Sequence, residues 1–104
     1  MNMNRLDVLK GMVDQNPTDS FARYGLAMEY NNSGKLDDAV REFRALLDVN
    51  PNYSAAYFHG GRALEQLGRT GEARNLYQRG IEVTTRNGDL HTRNEIQAAL
   101  DLLD

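Results

Sequence analysis

From Leu36 to Val49 the apolar residues Leu36, Ala39, Val40, Phe43, Leu46 and Leu47 recur at intervals of three and four, which sets them on one stripe of an α-helix. The same spacing returns along the whole chain. It predicts a helix over roughly Asn4 to Gln15, with Leu6, Leu9, Met12 and Val13 on its stripe. A second runs over roughly Thr18 to Asn32, with Phe21, Tyr24, Ala27, Met28 and Tyr30. Tyr53 to Leu67, Thr70 to Arg86 and Asp89 to Leu103 complete a set of six, the last carrying Ile96, Ala99, Leu100 and Leu103 on one face. Valine and isoleucine are few and scattered, and no segment alternates with the two-residue period of a strand. The pattern therefore predicts an all-α protein.

The helices repeat. Shifting the chain by 34 residues lays Asn16-Pro17 on Asn50-Pro51, Ala22 on Ala56, Ala27 on Gly61, Gly34 on Gly68, Ala39 on Ala73 and Val49 on Val83. It also pairs Tyr24 with Phe58 and Phe43 with Tyr77. Gly34 and Gly68 stand between two apolar-periodic stretches, where a left-handed residue ends one helix and lets the chain reverse. Pro17 and Pro51 cannot continue a helix and push Asn16 and Asn50 out of the α region, so each opens a new unit. Asp89, after Gly88, can cap the free amides of the last helix. Ala27, Ala39, Gly61 and Ala73 lie inside helices, where small side chains let neighbouring backbones approach closely. The paired aromatics would then fill the space between neighbouring hairpins.

These residues resemble the tetratricopeptide repeat family, a 34-residue helix-turn-helix unit with the pattern W-x2-L-G-x2-Y, then A-x3-F, then P. The first unit reads Arg23-x2-Leu26-Ala27-x2-Tyr30, then Ala39-x3-Phe43, then Pro51, with Arg23 in place of the leading aromatic. The second reads Tyr57-x2-Gly60-Gly61-x2-Leu64, then Ala73-x3-Tyr77. Thr85 replaces the closing proline, so the fifth helix can run on to Arg86 or Asn87 before Gly88 stops it. The resemblance implies a right-handed α-α superhelix of antiparallel helix pairs forming a single domain. Residues 4–16 would be the second half of a preceding unit, 17–50 and 51–86 two full repeats, and 89–103 a capping helix with a polar outer face. In that frame Glu95 takes the register of the small residue.

Composition narrows the chemistry. The 12 basic and 15 acidic side chains leave a net charge of -3, which argues against a general phosphate-backbone binder. The arginines along the fifth helix, Arg69, Arg74, Arg79 and Arg86, alternate with Glu72 and Glu82 and read as a solvated, ion-paired face. The longest apolar run, Ala55 to Phe58, spans four residues, far short of a membrane helix. Residues 1–10 show neither a basic nor an apolar leader segment, so the expected location is cytoplasmic. With no cysteine and two histidines, the expectation is no enzyme, no metal and no cofactor. His59 has Ala55 and Ala63 where helix-borne ligands would stand, and His91 reads as a helix-end residue. Asp37 and Asp38 serve the first turn of their helix through its dipole.

What remains is surface. By the resemblance, the first helix of each unit lines a concave groove that receives a segment of another protein. The matching positions are Phe21, Tyr24, Met28, Asn31 and Asn32 in the first unit and Ala55, Phe58, Arg62, Glu65 and Gln66 in the second. Exposed aromatic and methionine side chains beside an arginine suit a partner. The family's carboxylate clamp for acidic chaperone tails is not carried over, because Tyr24, Gly25, Met28, Phe58 and His59 occupy its faces. The expectation is thus a non-enzymatic protein- or peptide-binding module. A weakly self-associating assembly subunit, using the same surface or its open ends, is the second.

Overall fold

The structure, a computed structural model, describes residues 3–103. Six helices and no strand occur among the described residues: α1 (Arg5–Gln15), α2 (Ser20–Asn32), α3 (Leu36–Val49), α4 (Ser54–Gln66), α5 (Thr70–Asn87) and α6 (Leu90–Asp101). Asp19 stands just outside α2 and accepts from Ala22 N at 3.1 Å, so that helix begins two residues later than its apolar pattern suggests. Asn4 and Asp89 cap α1 and α6 in the same way, accepting from Asp7 N and Thr92 N.

The turns follow from local chemistry. Gly34, Gly68 and Gly88 have φ of 78°, 77° and 78°, and no other described residue has positive φ. Asn16 and Asn50, each before a proline, are extended at φ −141° and −142°. Consecutive helices, joined by short turns, run antiparallel, with α2, α4 and α6 in one layer and α1, α3 and α5 in the other. This is the expected all-α, right-handed superhelix of helix pairs.

The core runs through the middle of the stack. Ala27, Ala39, Ala56, Ala63 and Ala73 are fully buried together with Phe43, Leu46, Leu64, Tyr77 and Ile96. At the registers read as close approaches, the structure leaves no room for a side chain. A Cβ on Gly61 would fall within 2.6 Å of Tyr77 Cδ1 and Cζ, and one on Gly80 the same distance from Tyr57 Cβ.

Two departures from the repeat are resolved in three dimensions. Arg23, which replaces the leading aromatic, is largely buried at the core's margin. Its Nη1 donates to Glu42 Oε1 at 2.7 Å and its Nη2 to the Pro17 carbonyl at 3.1 Å. One unit later, Tyr57 donates its hydroxyl to the Pro51 carbonyl at 2.7 Å. An ion pair and an aromatic thus perform one task, tying the helix to the proline that opens its unit. The second departure lies at α6, where the buried face is Ile96 with Ala99, Leu100 and Leu103, as the apolar stripe predicts. Helix α5 has 18 residues and α3 has 14, a difference of one helical turn, so the 34-residue period does not carry into α6. Glu95 faces out to His91 at 3.3 Å, and the fully buried Ile96 packs near Gly80 instead.

Candidate functional site

The α2–α4–α6 layer carries the surface singled out in the sequence, and the structure divides it. On α2, Phe21, Tyr24, Met28 and Asn32 line a hollow of about 280 Å³ together with Gly25, Glu29 and, from α1, Arg5. On α4, Phe58 and Arg62 line a second hollow of about 240 Å³, closed on its far side by Glu95, Ala98, Ala99 and Leu102 of α6. Glu65 and Arg62 line a continuation of it against Ala99 and Leu102. Asn31, Ala55 and Gln66 line neither. Phe21 is 78% exposed, whereas Tyr24, Met28 and Phe58 are half-buried against the core.

An aromatic ridge separates the two hollows. The Tyr24 ring lies 5.1 Å from Tyr53 and 6.2 Å from His59, and His59 is in turn 5.2 Å from Phe58 and stacked on Phe43 at 6.5 Å. Tyr53 and His59 were not among the residues chosen from the sequence. His59 at the 34-residue counterpart of Gly25 was the available signal, since a large ring there must lean on the preceding unit. Burial holds the Tyr24 and Tyr53 hydroxyls above the usual phenol range and keeps the His59 imidazole below its ordinary 6.5.

The second hollow has ordered charge. The Arg62 guanidinium sits 5.8 Å over the Phe58 ring. Glu65 accepts a hydrogen bond from the Tyr77 hydroxyl, which crosses from α5 past Gly61 to reach it, and burial, joined by this bond, raises the Tyr77 pKa. An arginine over an aromatic, next to a carboxylate held from behind, can offer both signs of charge beside the apolar Ala99 and Leu102. On the opposite layer, a broader cavity of about 470 Å³ is lined by Lys10, Asp14, Arg41 and the Arg23–Glu42 pair. No group of three His, Cys, Asp or Glu arranged to hold a metal occurs among the described residues, and no described helix is long and apolar enough to cross a membrane.

Paired antiparallel helices, stacked at a fixed period with one layer left open, define a helical-repeat protein. The family profile of the tetratricopeptide repeat matches residues 24–88, more than half of the chain, and the chain belongs to that family. It is similar to a tetratricopeptide repeat domain protein from Salinibacter ruber, with 35% identity and a TM-score of 0.74 over 79% of this chain and 91% of that one. A Bordetella parapertussis protein solved in solution superposes with a TM-score of 0.82 at 27% identity, covering 96% of this chain and 87% of that one. A TPR repeat-containing protein of Pseudomonas aeruginosa is 24% identical over 99 residues, 95% of this chain and 94% of that protein. Members of this family generally mediate protein–protein interaction.

Proposed function

We propose that the protein is a non-enzymatic binding module of the cytoplasm that holds a segment of a partner protein on its concave face, anchored in the hollow between α4 and α6. The observation that supports this most is the pairing of apolar surface with fixed charge. Phe58, Ala99 and Leu102 offer burial, while Arg62 and the tethered Glu65 supply the orientation-setting polar contacts that such sites need. The segment would extend along the face past Gln66 and over the Tyr24–His59 ridge toward Asn31.

The test uses residues whose side chains the core does not need. Arg62 and Leu102 are both exposed, Leu102 at 84%. Affinity purification from the native cell with quantitative mass spectrometry, using the wild type and the Arg62→Glu, Leu102→Glu double variant, identifies partners that depend on the hollow. The expected result is a set of proteins depleted about tenfold or more in the variant, which keeps its helical circular dichroism and melting temperature. Equal recovery by the two chains would remove the α4–α6 hollow as the anchor.

A further inference from the structure

We infer that the protein forms a two-fold symmetric dimer through its N-terminal edge, with Phe21 of each copy seated in the hollow over Gly25 of the other. Helices α3 and α4 present a surface to α2, and the Tyr24 ring fills it, 6.4 Å from Phe43 and 6.2 Å from His59. One period earlier, α1 and α2 present the corresponding surface outward, with Leu9 in the register of Phe43 and Gly25 in that of His59. Both replacements are smaller: Leu9 closes against Gly25, its Cδ2 3.1 Å from where a Cβ would stand, and beside it Gly25, Tyr24 and Met28 wall a hollow of about 280 Å³ that holds no ring from a neighbouring helix. Its walls are more apolar than their counterparts, because Phe21 stands for Ala55 and Met28 for Arg62. Val8 and Met12, both exposed, extend the apolar strip along α1.

The edge therefore calls for an aromatic side chain from outside, and it carries one itself. Phe21 is the most exposed aromatic among the large exposed hydrophobic residues and lies on α2 one turn, about 6 Å, from Gly25. Knob and hole on one face, separated along one helix, are what a two-fold axis across α2 needs: it carries each Phe21 to the other copy's Gly25. The rim raises no like-charge penalty, since Arg5 and Glu29 are already paired at 3.1 Å. Stacking head to tail would bring no ring to the hollow: the opposite end exposes Leu90 and Leu102 beside Asn94 and Asp101, and among the described residues Phe21 is the one aromatic that stands with the large exposed hydrophobic residues. The occupant is thus a second copy in a closed pair. The α4–α6 hollow with Arg62 and Leu102 stays free in this pair, whereas Tyr24 borders both surfaces, so variants at Phe21 and at Leu102 tell the two apart.

Sedimentation equilibrium of the 104-residue chain from roughly 10 µM to 1 mM tests it. The expected mass rises from 11.7 kDa toward twice that value with concentration. Phe21→Glu should weaken the dimer by about 30-fold or more, with unchanged circular dichroism, while Leu102→Glu at the far end leaves it intact. Monomer mass throughout for the wild type overturns the inference and leaves the hollow to a different helix. A dimer that survives Phe21→Glu overturns it too, because the contact then lies elsewhere.

Discussion

Replacing Gly61 by alanine sets two effects of opposite sign against each other, and the structure says which wins. In a helix interior alanine is favoured over glycine by about 1 kcal/mol. Against this, the added Cβ would lie within 2.6 Å of the Tyr77 Cδ1 and Cζ atoms and closer still to Cε1. Tyr77 cannot swing aside, because it is fully buried and its hydroxyl is held by Glu65 at the far end. Overpacking of this kind costs roughly 1–3 kcal/mol, and loss of a hydrogen bond to a carboxylate adds about 1.5. Near the upper end of that range the net change is about 3 kcal/mol of destabilisation. For a domain of this size that lowers the melting temperature by about 12 °C or more. Gly11, midway along α1, has nothing within 4 Å of its Cβ position. Gly11→Ala should therefore raise stability by about 0.5–1 kcal/mol. Thermal and urea unfolding followed by circular dichroism measure both. A Gly61→Ala variant as stable as the wild type, or two variants moving in the same direction, would refute the claim that ring contact decides the sign. Adding Tyr77→Leu to Gly61→Ala should recover much of the stability lost in the single variant if the ring is the obstacle.

The Arg23–Glu42 pair has side chains only 16% and 12% exposed, so Glu42→Ala, which strands the guanidinium, should cost about 3 kcal/mol. Copying the second unit with Arg23→Tyr and Glu42→Leu should leave stability equal or higher, as chemical denaturation will show; equal losses for both variants would contradict this account. His59 supplies a pH dependence. Burial lowers its folded-state pKa below the ordinary 6.5, so the unfolded chain takes up the proton first. Stability contributed by this group is full above pH 6.5 and is lost as pH falls from there through the folded-state pKa. Between pH 7.5 and 5.5 the melting temperature of His59→Gln should fall less than that of the wild type, and an equal fall would assign the acid sensitivity to other groups.

Much of the fold is written locally. A glycine with φ near 78° and an asparagine forced into extended geometry by the next proline need no distant partner, so the helix-to-helix turns are readable one residue at a time. The stripe of each helix is equally local, and the 34-residue shift then pairs stripe with stripe. The length of α5 is local too: with Thr85 in place of a proline that helix adds one turn before Gly88 ends it, whereas what α6 buries Ile96 against, Gly80 of α5, appears only in the stack.

For the surface, the sequence by itself determined which residue types stand at the open positions of α2 and α4: aromatics, a methionine, an arginine and amides. Only the tertiary structure decided how they are shared. Tyr53 and His59 fill the seam between α2 and α4, so Phe21 and Met28 face an edge hollow with α1, while Phe58 and Arg62 face α6. Likewise Arg23 reads in the chain as a missing aromatic, and only packing brings Glu42, 19 residues away, to neutralise it. Helix formation and termination depend on neighbours within a turn, whereas cavities and buried ion pairs depend on which faces meet once the helices stack.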